Sequence, residues 1–316
     1  MDSSGASHVL QPRRLVSIGG IPVDIVVRAN GMPLHGGDLR VTPVVDRPGG
    51  PFSVLSTAAR LGMPALYAGG YGSGVRGTQV RSHLAAEGID VLRTATTDAD
   101  TGFSLVMVDN AGERTCVSAP GAEALQTWAD ITTYVPSPGD AVHVTGYDLA
   151  DPAGDLLLER LKDFGSDVLV FFDPGPMSIS VPPGFPWSSL EAAMQRADVI
   201  TLNRTEALSL AGSSEPEEVA REFAPKWVIL REGANGAWLL HNGAVVAHAQ
   251  PPIVDVRDTT GAGDTHTGAF IAGLSEGLQP RAALHLATVA AALSVRADGP
   301  GTGPTRAEIS AVLARR

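Results

Sequence analysis

The chain has 316 residues and a mass of 32.6 kDa, enough for one large α/β domain or two small domains. Acidic residues outnumber basic ones by 34 to 23, and a formal net charge of -11 without a basic run argues against a nucleic-acid-binding protein. Residues 1–14 contain no apolar segment, and no apolar stretch is long enough to cross a bilayer. We therefore expect a cytoplasmic protein without a membrane or nucleic-acid partner.

The chain contains a single cysteine, Cys116, so it can form no internal disulfide. That agrees with a reducing compartment. A thiol becomes reactive when its surroundings lower its pKa, and no His or Cys cluster lies near this one in the sequence. We therefore expect Cys116 to be an inert packing residue.

Short apolar runs alternate with helical patterns along most of the chain. Continuous apolar runs that end in Gly, Asp or Asn are typical of strands buried on both faces of a parallel sheet. The alternation predicts a doubly wound α/β core. The predicted strands are residues 13–20, 64–70, 140–146, 167–173, 197–203 and 226–233. The predicted helices are residues 53–61, 78–87, 152–164, 190–196, 205–210 and 216–223, with three more from Gly261 onward.

Two stretches interrupt this alternation and predict a second, smaller sheet. Residues 30–47 include an LRVTPVV run that is typical of edge strands, and residues 93–118 contain two apolar runs around a turn at 110–112. The second pattern predicts a β-hairpin. We expect both stretches to pair as a sheet that stands off the main one, as a lid or a dimer surface.

The most specific pattern is DTTGAGD at residues 258–264, which follows an extended run and begins a helix. Gly261, Ala262 and Gly263 are small residues at a helix N-terminus, where backbone N–H groups lack partners and the dipole is positive. Such a turn can bind a phosphate or an oxyanion without any lysine. Asp264 is a candidate general base for a hydroxyl that attacks a phosphoryl group. The alternative is a glycine-rich turn with Asp264 as a helix cap.

This signature resembles the C-terminal motif of the ribokinase-like (pfkB-type) carbohydrate kinase family, and four further segments resemble that family in the same order. The segments are PVDIV (22–26), PGGPFSVLSTAARLG (48–62), NRTE (203–206) and ILREGANGAW (229–238). The resemblance implies a three-layer α/β/α core with a mostly parallel sheet and a small β-sheet lid. It implies one kinase domain over residues 1–316, with the lid at about 30–47 and 93–118. We expect that lid to pair with a second copy as a homodimer.

The activity implied by the resemblance is ATP-dependent transfer of the γ-phosphoryl group to a hydroxyl of a small sugar of the ribose, fructose or keto-sugar type. Asp264 would be the base, and the N–H groups of Gly261, Ala262 and Gly263 would hold the charge that develops on the transferred group. ATP, Mg²⁺ and a monovalent cation such as K⁺ would take part. A nucleoside kinase on the same fold is the alternative. A non-catalytic sugar-binding regulator is less favoured, because it would be expected to lose Asp264 or the turn.

The resemblance also implies roles for residues elsewhere in the chain. Asn203 and Glu206 would lie near the triphosphate, with Glu206 orienting Mg²⁺, although helix capping explains the same pair. Asp258 and Thr260 would help to bind the monovalent cation. The residues that flank the nucleotide would be Arg231, Gly233, Gly236 and Thr288. The residues that contact the substrate would be Asp24, Gly49, Gly50 and Ser53, with Asp24 placed after the first strand at the carboxyl edge of the sheet.

The chain departs from the family pattern in ways that leave the substrate open. Ser53 stands where many relatives have Asn, residues 173–177 lack the Arg of some hexose kinases, and His266 stands where an aromatic residue is commoner. Thr288 stands where some relatives have Asn. A sugar phosphate is disfavoured, because the candidate lid bases are scattered along the sequence: Arg28, Arg40, Arg47, Arg93 and Arg114.

Two other nucleotide-binding motifs are excluded. Residues 72–77 fit G-x-G-x-x-G, but the acidic residue that follows, Asp90, comes too early and precedes its strand instead of ending it. We therefore do not expect a dinucleotide. The P-loop pattern G-x-x-x-x-G-K-[ST] does not occur in the chain, which excludes the P-loop NTPases.

Overall fold

A computed structural model describes residues 11–29, 31, 33–96, 98–109, 114–180, 185–297 and 303–314. The predicted turn at 110–112 lies outside these ranges. Within them the chain forms a large sheet with helices on both faces and a separate small sheet. The strands are β1 (Arg14–Ser17), β2 (Val23–Arg28), β3 (Thr42–Pro48), β4 (Ala65–Tyr67), β5 (Asp90–Val91), β6 (Phe103–Val108), β7 (Arg114–Ala119), β8 (Asp140–Thr145), β9 (Leu169–Asp173), β10 (Val199–Asn203), β11 (Trp227–Arg231), β12 (Ala237–His241) and β13 (Ala244–Ala249).

Helices connect most of these strands, and the three helices predicted for the C-terminal third are confirmed as the last three of the series. Short 3₁₀ turns occupy 122–124, 175–178 and 233–235. The α-helices are α1 (Pro51–Arg60), α2 (Val75–Ala86), α3 (Trp128–Thr132), α4 (Gly146–Ala150), α5 (Gly154–Lys162), α6 (Trp187–Arg196), α7 (Arg204–Ala211), α8 (Pro216–Glu222), α9 (Ala262–Ser275), α10 (Pro280–Ser294) and α11 (Arg306–Leu313).

The central sheet confirms the predicted parallel core. Its described strands follow the order β13-β12-β11-β10-β9-β8-β1-β4-β5, and every pairing from β11 to β5 is parallel. The strands β12 and β13 extend the sheet in antiparallel fashion. Sequence analysis missed β12 and described β13 only as extended. The signal was the Asn242-Gly243 turn between them, since both residues have positive φ and Asn-Gly is the preferred two-residue hairpin turn.

The core consists of two hydrophobic layers, one on each face of the central sheet. Along β1 and β9 alternate residues point to opposite layers: Leu15 and Phe171 pack beneath α1 and α9, whereas Val16 and Val170 pack against α5 and α6. This two-sided burial explains why the parallel strands are continuous apolar runs in the sequence. Among the described helices none is long and apolar enough to span a bilayer.

The small sheet has the order β3-β2-β6-β7 and differs from the predicted lid in its boundaries. The strand β2 belongs to it and pairs in parallel with β6, because the chain leaves the central sheet after Gly20 and the Val23 N–H donates to the Gly102 carbonyl at 3.1 Å. Residues 93–96 do not belong to it, since the Thr96 N–H donates to the Tyr71 carbonyl at 2.8 Å along the central sheet. We call β2, β3, β6 and β7 the lid.

The strand β7 lies at an edge of the lid, so little protein covers it. Cys116 is exposed there, and the expectation of a packing residue is wrong for the isolated chain. Alternation along β2 and β6 assigns the lid two faces. Asp24, Ser104 and Ser118 share the face that we call the inner face, on which the Ser104 and Ser118 hydroxyls lie 2.7 Å apart.

The glycine-rich turn at 72–77 begins α2, but its helix N-terminus is already occupied. The Asp100 carboxylate accepts the N–H groups of Arg76 at 3.2 Å and Gly77 at 3.0 Å. An anion already bound by these donors leaves no place for a pyrophosphate. This contact agrees with the exclusion of a dinucleotide site.

Candidate active site

Three strand ends and one helix N-terminus meet at the carboxyl edge of the central sheet. Asp173 ends β9, Asn203 ends β10 and Arg231 ends β11. The first turn of α9 lies against the Arg231 guanidinium. Because open α/β sheets bind ligands at the carboxyl ends of their strands, this edge is the candidate active site.

A buried ion pair joins two of these strand ends. The Arg231 Nη2 donates to Asp173 Oδ2 at 2.9 Å and lies 3.8 Å from Glu206 Oε2. Thr201 Oγ1 also donates to Asp173 Oδ2, at 2.9 Å, and the Gly175 N–H donates to Oδ1 at 3.0 Å. Burial acts to lower the pKa of Arg231, but the neighbouring carboxylates outweigh it and raise that pKa. Arg231 is therefore a fixed cation beneath the site.

Asn203 and Glu206 form a reciprocal cap at the start of α7. The Glu206 N–H donates to Asn203 Oδ1 at 2.9 Å, and the Asn203 N–H donates to Glu206 Oε2 at 2.7 Å. Asn203 Nδ2 donates to the other oxygen, Oε1, at 2.6 Å. Burial, and then repulsion by Asp173, raise the pKa of Glu206 to about 7. The capping alternative is thus realised, and it places a carboxylate with a raised pKa next to Arg231.

The N-terminus of α9 has no side-chain cap among the described residues. Gly261 precedes the helix with φ 72°, and the first intrahelical bond runs from the Thr265 N–H to its carbonyl at 2.8 Å. The Ala262 N–H donates to the Thr259 carbonyl at 3.2 Å, so one of the three predicted anion donors already has a partner. A Cβ at position 263 would collide with the Arg231 guanidinium. Glycine is therefore required where the helix meets the buried cation.

Asp264 lies in the first turn of α9 and keeps part of its surface open. It is not the cap of that helix, because the cap position is Gly261 and no side chain of the described residues bonds there. Burial, and then repulsion by Asp173, raise the pKa of Asp264 to about 6, while Arg231 and Arg114 oppose the rise. A carboxylate with that pKa is ionised at neutral pH and can still accept a proton.

The predicted substrate residues meet at the root of the lid. Asp24 lies on β2 of the lid and not in a loop after a central strand, which corrects the position expected from sequence. A Cβ at Gly49 would overlap the Asp24 carboxylate, so glycine allows the carboxylate to lie against the start of α1. Gly50 caps α1, and the buried Ser53 hydroxyl has no hydrogen-bond partner among the described residues. Burial, and then repulsion by Asp264, raise the pKa of Asp24 to about 7.

The remaining predicted residues follow β11, precede α9 or lie in α10. Gly233 and Gly236 bound the 3₁₀ turn that follows β11. Asp258 and Thr260 are buried before α9, and the Thr260 N–H donates to Asp258 Oδ1 at 2.8 Å. Thr288 is not grouped with the others: its hydroxyl donates to the Leu284 carbonyl at 2.9 Å inside α10, and its contact with the nucleotide stays a prediction.

His266 lies one helical turn into α9, between that helix and α10. Its Nε2 is 3.4 Å from the Thr288 hydroxyl, and its Nδ1 has no partner within the described part of the chain. Burial, and then the charge of Arg231, lower its pKa to about 3. The imidazole is therefore neutral at any pH near neutrality.

Sequence analysis missed three residues of the site. Asp173 is the last residue of a predicted strand, but no role was predicted for it. Tyr147 follows β8 with half of its surface exposed. Burial, and then the charges of Cys116 and Asp264, raise its pKa to about 12, while Arg114 opposes the rise. Arg114 was treated as one scattered base. Its charge reaches Asp24, Asp264 and Glu206 only because the lid folds over the sheet edge.

The site fits a divalent cation that is shared with a nucleotide. Among the described residues no three His, Cys, Asp or Glu side chains could by themselves hold a metal ion. Mg²⁺ usually takes one or two carboxylates and obtains its other ligands from phosphates and water. Glu206 and Asp173 match that mode, since each is buried near the other with one guanidinium to neutralise both.

A doubly wound sheet, a four-stranded lid and an open helix N-terminus beside a carboxylate define a small-molecule kinase of the ribokinase fold. The chain belongs to the pfkB family of carbohydrate kinases, whose family model matches residues 12–307. It is therefore a phosphotransferase with an alcohol group as acceptor.

Individual relatives agree with this assignment. The chain is 31% identical to the uncharacterized sugar kinase YegV of Escherichia coli over 97% of its own length and 98% of that protein. The ribokinase of Thermotoga maritima superposes with a TM-score of 0.75 at 26% identity, covering 95% of this chain and 99% of that one. The adenosine kinase of Sinorhizobium meliloti shares the fold, with a TM-score of 0.81 at 21% identity over 96% and 100% of the two chains.

The position of Asp24 predicts a gain of stability when its charge is removed. Its pKa lies at about 7 in the folded chain and has an ordinary value of 3.8, so the folded state loses stability as the pH rises between these values. We expect Asp24→Asn to raise the free energy of unfolding by roughly 1–3 kcal/mol at pH 8 and to have little effect near pH 4. Urea unfolding at both pH values measures it, with the exposed Asp90→Asn on β5 as the matched control. A free energy of unfolding of Asp24→Asn equal to that of the wild-type protein at pH 8 would contradict the prediction.

Proposed function

We propose that this protein transfers the γ-phosphoryl group of ATP to a hydroxyl of a small sugar, with Asp264 as the general base. The observation that carries the proposal is the position of Asp264. It lies between the open N-terminus of α9, backed by Arg231, and the Asp24 carboxylate across the cleft. Acceptor and phosphoryl group would therefore meet at this residue.

On the acceptor side, Asp24 would bind the substrate. An ionised carboxylate accepts several hydroxyl hydrogen bonds, which suits a polyol. Gly49 lets the carboxylate lie against the start of α1, Gly50 beside it is partly exposed, and the Ser53 hydroxyl, which has no partner among the described residues, offers a further contact. With the sugar held there, one hydroxyl would donate its proton to Asp264 as it attacks the phosphorus.

On the phosphoryl side, charge is held by backbone and by arginine. The N–H groups of Gly261, Gly263 and Asp264 would stabilise the oxygens of the transferred group, with Arg231 directly beneath. This changes the predicted donor set, because the Ala262 N–H is already bonded. Gly233 and Gly236 would flank the nucleotide.

Two cation sites complete the proposal. Glu206 and Asp173 would hold Mg²⁺, which when bound supplies charge that neutralises the triphosphate. Asp258 and Thr260 would hold a monovalent cation next to the α9 turn. Since both Glu206 oxygens already accept hydrogen bonds from Asn203, its contact with the metal would run through water.

A nucleoside acceptor is the second candidate, and one observation favours it. Tyr147 presents a half-exposed ring at the same cleft as Asp264. An aromatic face of this kind stacks on a base as readily as on a sugar ring.

The test of the base is Asp264→Asn. We expect kcat to fall by roughly 10²–10⁴ while the affinity for ATP hardly changes, because the amide keeps the shape but cannot take the proton. Steady-state kinetics and nucleotide titration measure the two quantities, and the exposed Asp155→Asn on α5 is the matched control. Near-wild-type turnover would exclude this mechanism.

The test of the acceptor is a panel of sugars and nucleosides assayed for ATP turnover with and without K⁺. We expect turnover with at least one sugar and a higher rate with K⁺. Turnover with nucleosides alone would establish the second candidate instead. Binding of sugars without any turnover would establish the non-catalytic regulator.

We also propose that the lid pairs with a second copy. The face opposite to the inner face, which we call the outer face, presents the apolar row Ile25, Leu105 and Val117, and Val117 is 53% exposed. We expect a dimer in sedimentation at micromolar concentration and a monomer for Val117→Asp, because a buried unpaired charge opposes association. The exposed Val135→Asp, away from the lid, is the control. A monomeric wild-type protein would refute the dimer.

A further inference from the structure

The inner face of the lid carries a basic row at the end remote from Asp24. Arg28 on β2, Val108 on β6 and Arg114 on β7 are register partners, so all three side chains project from one face in one line. The Arg28 and Arg114 side chains are exposed. Sequence separates these two arginines, and only the strand pairing brings them together.

This row continues the face that bears the substrate carboxylate. Four residues along β2 separate Arg28 from Asp24, a rise of about 13 Å. Between them lies a buried apolar patch of Val26 and Val106, which packs with Val108. The inner face thus runs from a hydroxyl-binding carboxylate, across an apolar patch, to a pair of guanidinium groups.

The charge of Arg114 is directed at the active site. Electrostatically it opposes the rise in the pKa of Asp24 on β2 and of Asp264 on α9, two carboxylates that belong to different elements. It therefore lies over the cleft between the acceptor side and the nucleotide side. The other cation of this cleft, Arg231, is already paired with Asp173 at 2.9 Å.

A guanidinium beside an apolar patch binds oxyanions well. Its planar fork matches a phosphate or a carboxylate in bidentate fashion, and weak solvation strengthens the attraction. An anionic group on the acceptor would be repelled by Asp24 and Asp264, so it would lie on the Arg114 side of the cleft, whereas a γ-phosphoryl group held at the α9 turn would face Arg114 from the nucleotide side. Two groups have this chemistry: a phosphate or carboxylate on the acceptor itself, and the γ-phosphoryl group of the nucleotide.

We propose that Arg114, with Arg28 beside it, forms an oxyanion subsite of the lid that completes the active site from above. The subsite rests on the proposed kinase function for its role in turnover, but not for its ability to bind anions. It reverses the expectation that scattered lid bases disfavour a sugar phosphate as the acceptor.

Kinetics of Arg114→Gln distinguish the two sources of the oxyanion. The acceptor pairs are ribose against ribose 5-phosphate and glucose against gluconate, each differing by an anionic group. If the acceptor supplies it, KM rises about tenfold for the anionic member alone; if the nucleotide supplies it, kcat falls about tenfold for every acceptor used. Arg114→Lys should recover part of the loss. The exposed Arg40→Gln of the 33–41 segment is the control.

A second measurement does not depend on turnover and uses the single cysteine of the chain. Cys116 is exposed on the inner face, two residues from Arg114. We measure its labelling rate with a dianionic aromatic disulfide, 5,5′-dithiobis(2-nitrobenzoate), and with neutral N-ethylmaleimide. The ratio of the two rates cancels any change in the pKa of the thiol, because both reagents need the thiolate.

In the wild-type protein inorganic phosphate should slow the anionic reagent selectively. Arg114→Gln should lower the ratio by about threefold or more, since the local potential falls, and Arg28→Gln should lower it less. A ratio unchanged in Arg114→Gln, with kinetics equal to those of Arg40→Gln, would overturn the subsite. If Asp264→Asn stays active while the ratio still falls, the proposed base is wrong and the subsite stands.

Discussion

The ion pair between Arg231 and Asp173 is the interaction on which the rest of the site depends. It joins the ends of β9 and β11, and the same guanidinium lies near Glu206 and under the first turn of α9. A buried pair of this kind adds little net stability, but removing one member leaves an uncompensated charge. Without Arg231, the Asp173 carboxylate would be left unpaired near Asp264, whose pKa is already raised. Glycine at position 263 follows from the same contact, because any side chain there would displace the cation.

In the proposed site an acidic chain with two lysines would bind phosphates through backbone N–H groups and arginine side chains. Lys226 lies elsewhere, where its ammonium donates to the carbonyls of Gln195 at 2.7 Å and Ala197 at 2.6 Å at the C-terminal end of α6. The arginines of the site are better suited to oxyanions, since a guanidinium stays charged when buried and binds in a planar, bidentate way. The net charge of -11 therefore opposes nucleic-acid polymers without opposing a nucleotide.

The hairpin of β6 and β7, which forms half of the lid, is fixed at its base by one carboxylate. The Glu123 carboxylate accepts the N–H of Gly102 at 2.7 Å, just before β6, and the N–H of Gly121 at 2.9 Å, just after β7. One buried side chain thus holds both ends of the hairpin that carries Arg114. Alternation along the hairpin assigns its polar and basic residues to the inner face, together with the apolar Val106 and Val108, and assigns the row of Leu105 and Val117 to the outer face.

The sequence by itself determined most of the parallel strands, the helices between them and the glycine turn before Asp264. Each of these features depends on a pattern of residues that are close together in the chain, such as a continuous apolar run or the residues of a helix terminus. The motif at this turn, together with the order of the four other motifs, indicated the family. Tertiary structure alone decided that β2 belongs to the lid, that Asp173 pairs with Arg231, and that Arg28 and Arg114 share a row. These contacts join residues far apart in the chain through strand register, and register depends on which face is buried and not on any short pattern. The sequence therefore predicted most residues of the candidate site from separate motifs. The ion pair and the charges that surround each carboxylate depend on the tertiary structure.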